Sequence, residues 1–322
     1  MSSAQLSRRR AVGAGVGAIA LALSGCSGHP APARRLRLAT GPEGGPYNAF
    51  GHALAQAAAA GADAPDVVPV STSASVDNLR KLEDGSADLA LAMADVAEEA
   101  VLGREGFSRP VGVTALARIY VNYTHLVVPA AGPVRALGRL AGRPVAAGAA
   151  GSGVQVLAGR VLAAAGLGDG PARAHERQLG LAESAEALRT GAVDALFWSG
   201  GVPTPALSGL ANELPLRFLP LDGYVAALRE RHGPVYTAVT LPAPAYGLTE
   251  PVETIGVGNY LLARDDVPAG AVRALLQVVF DRRRDLLHEV TAGARLEPRF
   301  AISTGKVPLH PGAVAYYRSV YG

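Results

Sequence analysis

"SVDNLRKLEDGSADLALAM", residues 75–93, carries the pattern on which the rest of the chain is built. Val76, Leu79 and Leu82 stand three residues apart, so the first part has one apolar face and reads as a helix. Gly85 interrupts it, and "ADLALAM" beyond is a short continuous apolar run of the kind that makes a buried strand. The same order of helix, glycine turn and strand returns in "SAEALRTGAVDALFW", residues 184–198. Leu82, Gly85 and Asp88 correspond to Leu188, Gly191 and Asp194, since 188 − 82, 191 − 85 and 194 − 88 all give 106. Gly45 and Gly151 share that offset. One α/β unit is used twice.

Working outward, "RLRLAT" reads as a strand, 49–60 as a helix and "DVVPVST" as a second strand, which makes residues 35–93 a βαβαβ unit. "RPVAAGAAGSG" and "VQVLAGRVLAAAG" supply the equivalent strand, glycine turn and helix of the second unit. The β-rich stretches 115–128 and 252–263 are long enough to cross between the units and return. Helical segments over 269–290 and a Tyr-rich end complete the first unit. The expected fold class is α/β: two Rossmann-like lobes, residues 35–122 with 255–322 and residues 123–254, joined by a β hinge over a cleft.

Hydrophobic residues make up 49% of the 322 and charged residues 18%, which is a globular composition. The net charge is only +3 and no concentrated basic stripe exists, so no nucleic-acid partner is expected; Arg282, Arg283 and Arg284 read as a solvated helix face. Arg8, Arg9 and Arg10 precede the short apolar run 11–25, an export-signal pattern. The run ends in "LSGC", which resembles a lipoprotein cleavage box, and Cys26 is the single cysteine. "SRRR" also resembles a twin-arginine signal, with Ala11 and Val12 departing from it. We therefore expect a signal peptide over 1–25, lipidation at Cys26, a tether over 26–34, and an extracytoplasmic protein anchored to the cell membrane by acyl chains.

"TGPEGGPYNAFG", residues 40–51, is a glycine turn running into a helix. A phosphate-cradling loop needs Lys and then Ser or Thr after its last glycine; Pro46, Tyr47 and Asn48 stand there instead. A dinucleotide fingerprint fails on spacing and on the charge of Glu43. What remains is a helix start with free N–H groups, suited to a carboxylate: Gly45 allows close approach and Tyr47 offers a hydroxyl or an aromatic wall. "AAGSGVQ", residues 149–155, places Gly151, Ser152 and Gly153 at the equivalent turn, and two such helix starts would clamp an anion. Ser73 or Ser75 can cap the next helix, while Ser73 and Asn78 are candidates to face the cleft. Ser199 and Gly200 are placed for polar contact, and Trp198 is either core or ligand wall. No metal site, cofactor or catalytic constellation is expected: the seven histidines are scattered and no metal-helix or nucleophile-elbow motif is present. His125 reads as structural, and Asp265 and Asp266 as helix caps.

The series "TGPEGGPYNAFGHALA", "STSASVDNLRKLEDGSADLAL", "THLVV", "GSGVQVLAGRVLAAAGL", "ALRTGAVDALFWSGGVPTPAL" and "TIGVGNYLLA" resembles, in order, the TAXI family of solute receptors of tripartite ATP-independent periplasmic (TRAP) transporters. The resemblance runs from about Leu36 to the C-terminus. It implies a type II periplasmic-binding-protein fold that closes on its cargo, a small organic anion such as glutamate or a dicarboxylate, and delivery to a TRAP-type membrane permease. It implies ligand contacts at Gly45, Tyr47, Ser73, Asn78, Ser152, Gly153 and the loop from Ser199 to Pro203. Pro46, Met93, Ala94 and Val154 depart from the family's usual polar residues and favour a less polar ligand. An ABC-type or sensory solute receptor and a secreted enzyme on this fold are the alternative readings.

Overall fold

The computed structural model describes residues 35–61, 63–288, 290 and 296–322. The expected signal peptide, Cys26 and the tether lie outside the described residues. The first unit runs β1 (Arg35–Ala39), α1 (Pro46–Ala59), β2 (Asp66–Val70), α2 (Ser75–Glu83), β3 (Leu89–Met93) and α3 (Ala94–Leu102), and leads into the long β4 (Val113–Pro129). The second runs β5 (Pro144–Ala146), α4 (Gly153–Ala164), β6 (His175–Arg177), α5 (Leu181–Arg189), β7 (Ala195–Gly200) and α6 (Pro205–Glu213). Then come β8 (Leu216–Phe218), α7 (Val225–His232), β9 (Tyr236–Leu241) and the long β10 (Val252–Arg264). Helices α8 (Ala269–Asp281), α9 (Arg283–His288), α10 (Pro298–Ala301) and α11 (Pro311–Tyr321) end the chain.

Among the described residues the strands form one sheet, ordered β2-β1-β3-β10-β4-β7-β5-β6, with β8 on β4 and β9 on β10. Both units use the order 2-1-3 in parallel, and the antiparallel pair β10–β4 lies between them. The internal repeat is visible in detail: α2 spans 75–83 and α5 spans 181–189, again 106 residues apart. Gly85 and Gly191 both follow their helices with positive φ, +77° and +74°, a conformation that glycine takes without a Cβ penalty. In each unit an arginine within or just before the first strand then pairs with the aspartate before the third: Arg37–Asp88 at 2.9 Å and Arg143–Asp194 at 3.3 Å.

Strand β3 is buried throughout, which explains its unbroken apolar run, and β10 is buried from Thr254 to Ala263. Helix α3 is buried from Ala94 to Ala100, including the acidic face formed by Asp95, Glu98 and Glu99, so it lacks the exposed polar face of a surface helix. Helix α1 starts at Pro46, three residues before the expected point, since the fixed φ of proline suits the first helical position. Two capping expectations are corrected. Helix α2 begins after Ala74 with no side-chain cap, and Ser75 Oγ instead accepts from the Met93 amide at 3.1 Å. Helix α8 begins after Pro268, whose side chain offers no cap, and the Asp266 carboxylate pairs with Arg264.

Candidate functional site

The starts of α1, α2, α4 and α5 converge on one narrow cavity of about 60 Å³. It lies at the carboxyl ends of the parallel strands of both units, the place where open α/β sheets hold ligands. Of the four helix starts, one is occupied by the protein and one carries a negative charge. The amides of Val76 and Asp77 in α2 both donate to the Gly151 carbonyl, at 3.1 and 3.2 Å. At α5 the Glu183 carboxylate accepts from the Gly180 amide at 3.0 Å and puts a negative charge on that helix start.

The other two starts are open. In α1 the ladder begins with the Ala49 amide on the Gly45 carbonyl, so the Tyr47 and Asn48 amides precede it. In α4 it begins with Val156 on the Ser152 carbonyl, and Ser152 Oγ accepts from Gln155, which leaves the Gly153 and Val154 amides ahead of the ladder. Gly153 is required by close approach: a Cβ there would lie 2.6 Å from Met93 Sδ and 2.7 Å from Ser75 Oγ. The second unit is thus pressed against the first at the cavity wall.

Of the residues singled out from the sequence, Gly45, Tyr47, Ser73, Ser152, Gly153, Trp198 and Ser199 line this cavity. Several of their polar atoms are engaged elsewhere. The Tyr47 hydroxyl donates to Asn259 Oδ1, and burial pushes its pKa well up, so Tyr47 presents its ring. Trp198 Nε1 donates to Thr204 Oγ1 at 3.0 Å, which makes the indole a wall as well. Ser152 Oγ donates to the Ala149 carbonyl at 2.7 Å, and Ser73 Oγ to Asp77 Oδ2 at 3.3 Å.

Four candidates are not in the lining. Asn78 is fully buried; its Nδ2 donates to the carbonyls of Thr40 and Leu91 and its Oδ1 accepts from Thr72, so it ties β1 to β3. Gly151 serves through its carbonyl at the start of α2. Gly200 makes room for the indole: a Cβ would lie 2.5 Å from Trp198 Nε1. Pro203 lines a separate recess with Gly44, Asn48 and Thr204, which Gly45 and Pro46 also border.

Sequence reasoning missed Asn122 on β4. It lines the cavity, its Nδ2 donates to the Ser199 carbonyl at 3.3 Å, and its buried Oδ1 has no partner among the described residues; nor has Ser199 Oγ. An asparagine inside "ARIYVNYTHLVV" was the signal: a polar side chain in a buried strand needs a partner. Arg160 was missed too, although it is the one charged residue of the apolar helix α4. Its Nη1 donates to Asp95 Oδ2 at 3.1 Å and to the Tyr236 hydroxyl at 2.6 Å, and its Nη2 meets Glu99 at 3.6 Å and Glu105. Burial alone would lower the Arg160 pKa; the carboxylates around it more than offset this and hold it charged. His232 Nδ1 reaches Glu105 at 3.1 Å, and burial beside Arg160 lowers its pKa. Glu99, Glu105 and His232 bring possible metal-ligand atoms within 4.8 Å, but the guanidinium already supplies the positive charge there. His125 sits in the core with Phe218 and Tyr246 at its ring edges, and burial pushes its pKa down to about 4, consistent with a structural role.

Three solved structures share this architecture. One, described as a periplasmic transporter, has a TM-score of 0.53 at 13% identity and covers 90% of this chain and 93% of its own. A binding-protein component of an ABC phosphonate transporter from Pseudomonas aeruginosa has a TM-score of 0.51 at 12% identity, covering 80% and 78%. A Xanthomonas citri protein bound to ATP has a TM-score of 0.50 at 12% identity, covering 89% and 95%. At such identities the likeness concerns the fold, which is the mixed α/β, two-lobed architecture of periplasmic binding proteins. Residues 38–320 match the model of the NMT1-like family, and the chain belongs to that family.

Proposed function

We propose that the protein is an extracytoplasmic solute receptor that holds a small organic anion in the cavity between its units and is not itself an enzyme. The observation that carries this reading is the pair of open helix starts, α1 and α4, brought to one cavity from different units. Their N–H groups and positive dipole ends attract an anion without a fixed cation, and a ligand touching both favours the closed form by its added contacts. In this reading the lobes are 35–122 with 255–322 and 123–254, hinged at β4 and β10. The TAXI-like motif series supports delivery to a TRAP-type permease, and "LSGC" supports a lipid anchor at Cys26.

Thermal-shift screening against small carboxylates tests the receptor reading. A ligand at 100 times its Kd adds about 2.7 kcal/mol of stability, an easily measured shift. Turnover of an acid that gives no shift would contradict it. Reconstitution with a cognate permease tests the transport reading, with uptake expected from an ion gradient and none from ATP alone. Cys26→Ala should move the protein from the membrane to the soluble extracytoplasmic fraction.

A further inference from the structure

Asn122 and Ser199 sit side by side in the cavity wall on neighbouring strands. Both are at least nine-tenths buried, at 3% and 4% exposure, and both keep a polar atom without a partner. The asparagine's orientation is fixed by its neighbour. Because Nδ2 donates to the Ser199 carbonyl, a flipped amide would set oxygen against oxygen, so Oδ1 is left as a pure acceptor. An unpartnered buried acceptor is costly, and here it asks the ligand for an N–H or O–H. Ser199 Oγ can accept from the same group or donate back to it.

The rest of the lining limits the ligand's charge. Among the described residues, none that lines the cavity carries an acidic or basic side chain. The Gly151 carbonyl takes the Val76 and Asp77 amides of α2, and the Glu183 carboxylate sets a negative charge at the start of α5, which leaves α1 and α4 as the place for one anionic group. A second carboxylate would be buried without a counter-charge, and an ammonium would find no carboxylate in the wall. Met93, Val154, Leu179, Leu181, Phe197 and Trp198 supply apolar surface to the remainder of the ligand.

We infer that the cavity selects a monocarboxylate with an apolar body and a neutral donor group, of the hydroxy-acid class, with Asn122 and Ser199 as the residues that read the donor. This inference rests on the receptor reading and narrows it, away from glutamate and dicarboxylates.

Calorimetric titration of the whole protein with 2-hydroxy-3-methylbutanoate, 3-methylbutanoate, succinate and L-glutamate tests it. The hydroxy acid should bind tightest, with the acid lacking the hydroxyl about ten- to hundredfold weaker because the buried acceptor is left empty. Asn122→Leu and, as the milder variant, Ser199→Ala should each draw that ratio toward one. Tighter binding of succinate or glutamate, or an unchanged ratio in both variants, would overturn the inference and leave the receptor reading standing. Binding by none of the four acids would overturn both.

Discussion

Two interiors lie between the same two units and are built in opposite ways. Among the described residues the cavity has no charged side chain in its wall, and it offers helix starts and neutral polar groups. The knot around Arg160 packs one guanidinium against Asp95, Glu99 and Glu105, with Tyr236 and His232 beside it. Helix α4 serves both, since Gly153 at its start and Arg160 are seven residues apart, two turns and about 10 Å along one face. The contrast separates two tasks. A ligand that must bind and leave is met by dipoles, while the approach of one protein surface to another is fixed by full charges that stay where they are.

The largest expected effect comes from breaking the knot. Arg160→Met removes the buried guanidinium from three carboxylates, two of them buried, and should cost about 3–5 kcal/mol in urea unfolding. A loss under about 1 kcal/mol would make the knot incidental. Acid tests the buried core outside both interiors, where His125 packs against Phe218 and Tyr246. The His125 pKa of about 4 lies below its ordinary value near 6.5, so the folded state favours the uncharged ring. Its contribution is complete above pH 6.5 and is lost as the pH falls toward 4, up to about 3 kcal/mol. His125→Phe should flatten that part of the pH–stability curve relative to the parent protein, and an unaltered slope would place the loss elsewhere.

Smaller effects sharpen the cavity side of the comparison. Gly153→Val forces Met93 and Ser75 apart from α4; an overpacking cost of about 1–3 kcal/mol on the closed form predicts roughly ten- to hundredfold weaker binding of 2-hydroxy-3-methylbutanoate. Calorimetry that found unchanged affinity would show that the two surfaces need not meet around the ligand. Ser152→Ala removes the cap that accepts from Gln155 and should lower stability by about 1 kcal/mol in thermal unfolding. No measurable change there would mean that water caps α4 equally well.

The cavity was legible in the sequence in part, and the knot around Arg160 was not. The 106-residue repeat gave the two units, because glycine turns and apolar strands are local signals. The helix-start reading of "TGPEGGPYNAFG" and "AAGSGVQ" placed Gly45, Tyr47, Ser152 and Gly153 at the cavity, since a turn after a parallel strand fixes which end of the sheet it joins. Asn78 was misassigned because a polar residue behind a hydroxyl-rich loop looks the same whether it faces a ligand or ties β1 to β3. Asn122 and Arg160 stood out as polar residues in apolar elements, but their partners are 77 residues away at Ser199 and 65 away at Asp95. Only the tertiary fold shows that one remains unpaired and the other is enclosed by acids.

The central claim is that one anionic group is held by the open starts of α1 and α4. Amide NMR during titration with 2-hydroxy-3-methylbutanoate tests it most directly, because an N–H that gains an anionic acceptor shifts strongly. The account predicts the largest downfield shifts at Tyr47, Asn48, Gly153 and Val154. Saturable binding that leaves these four amides unmoved would contradict it.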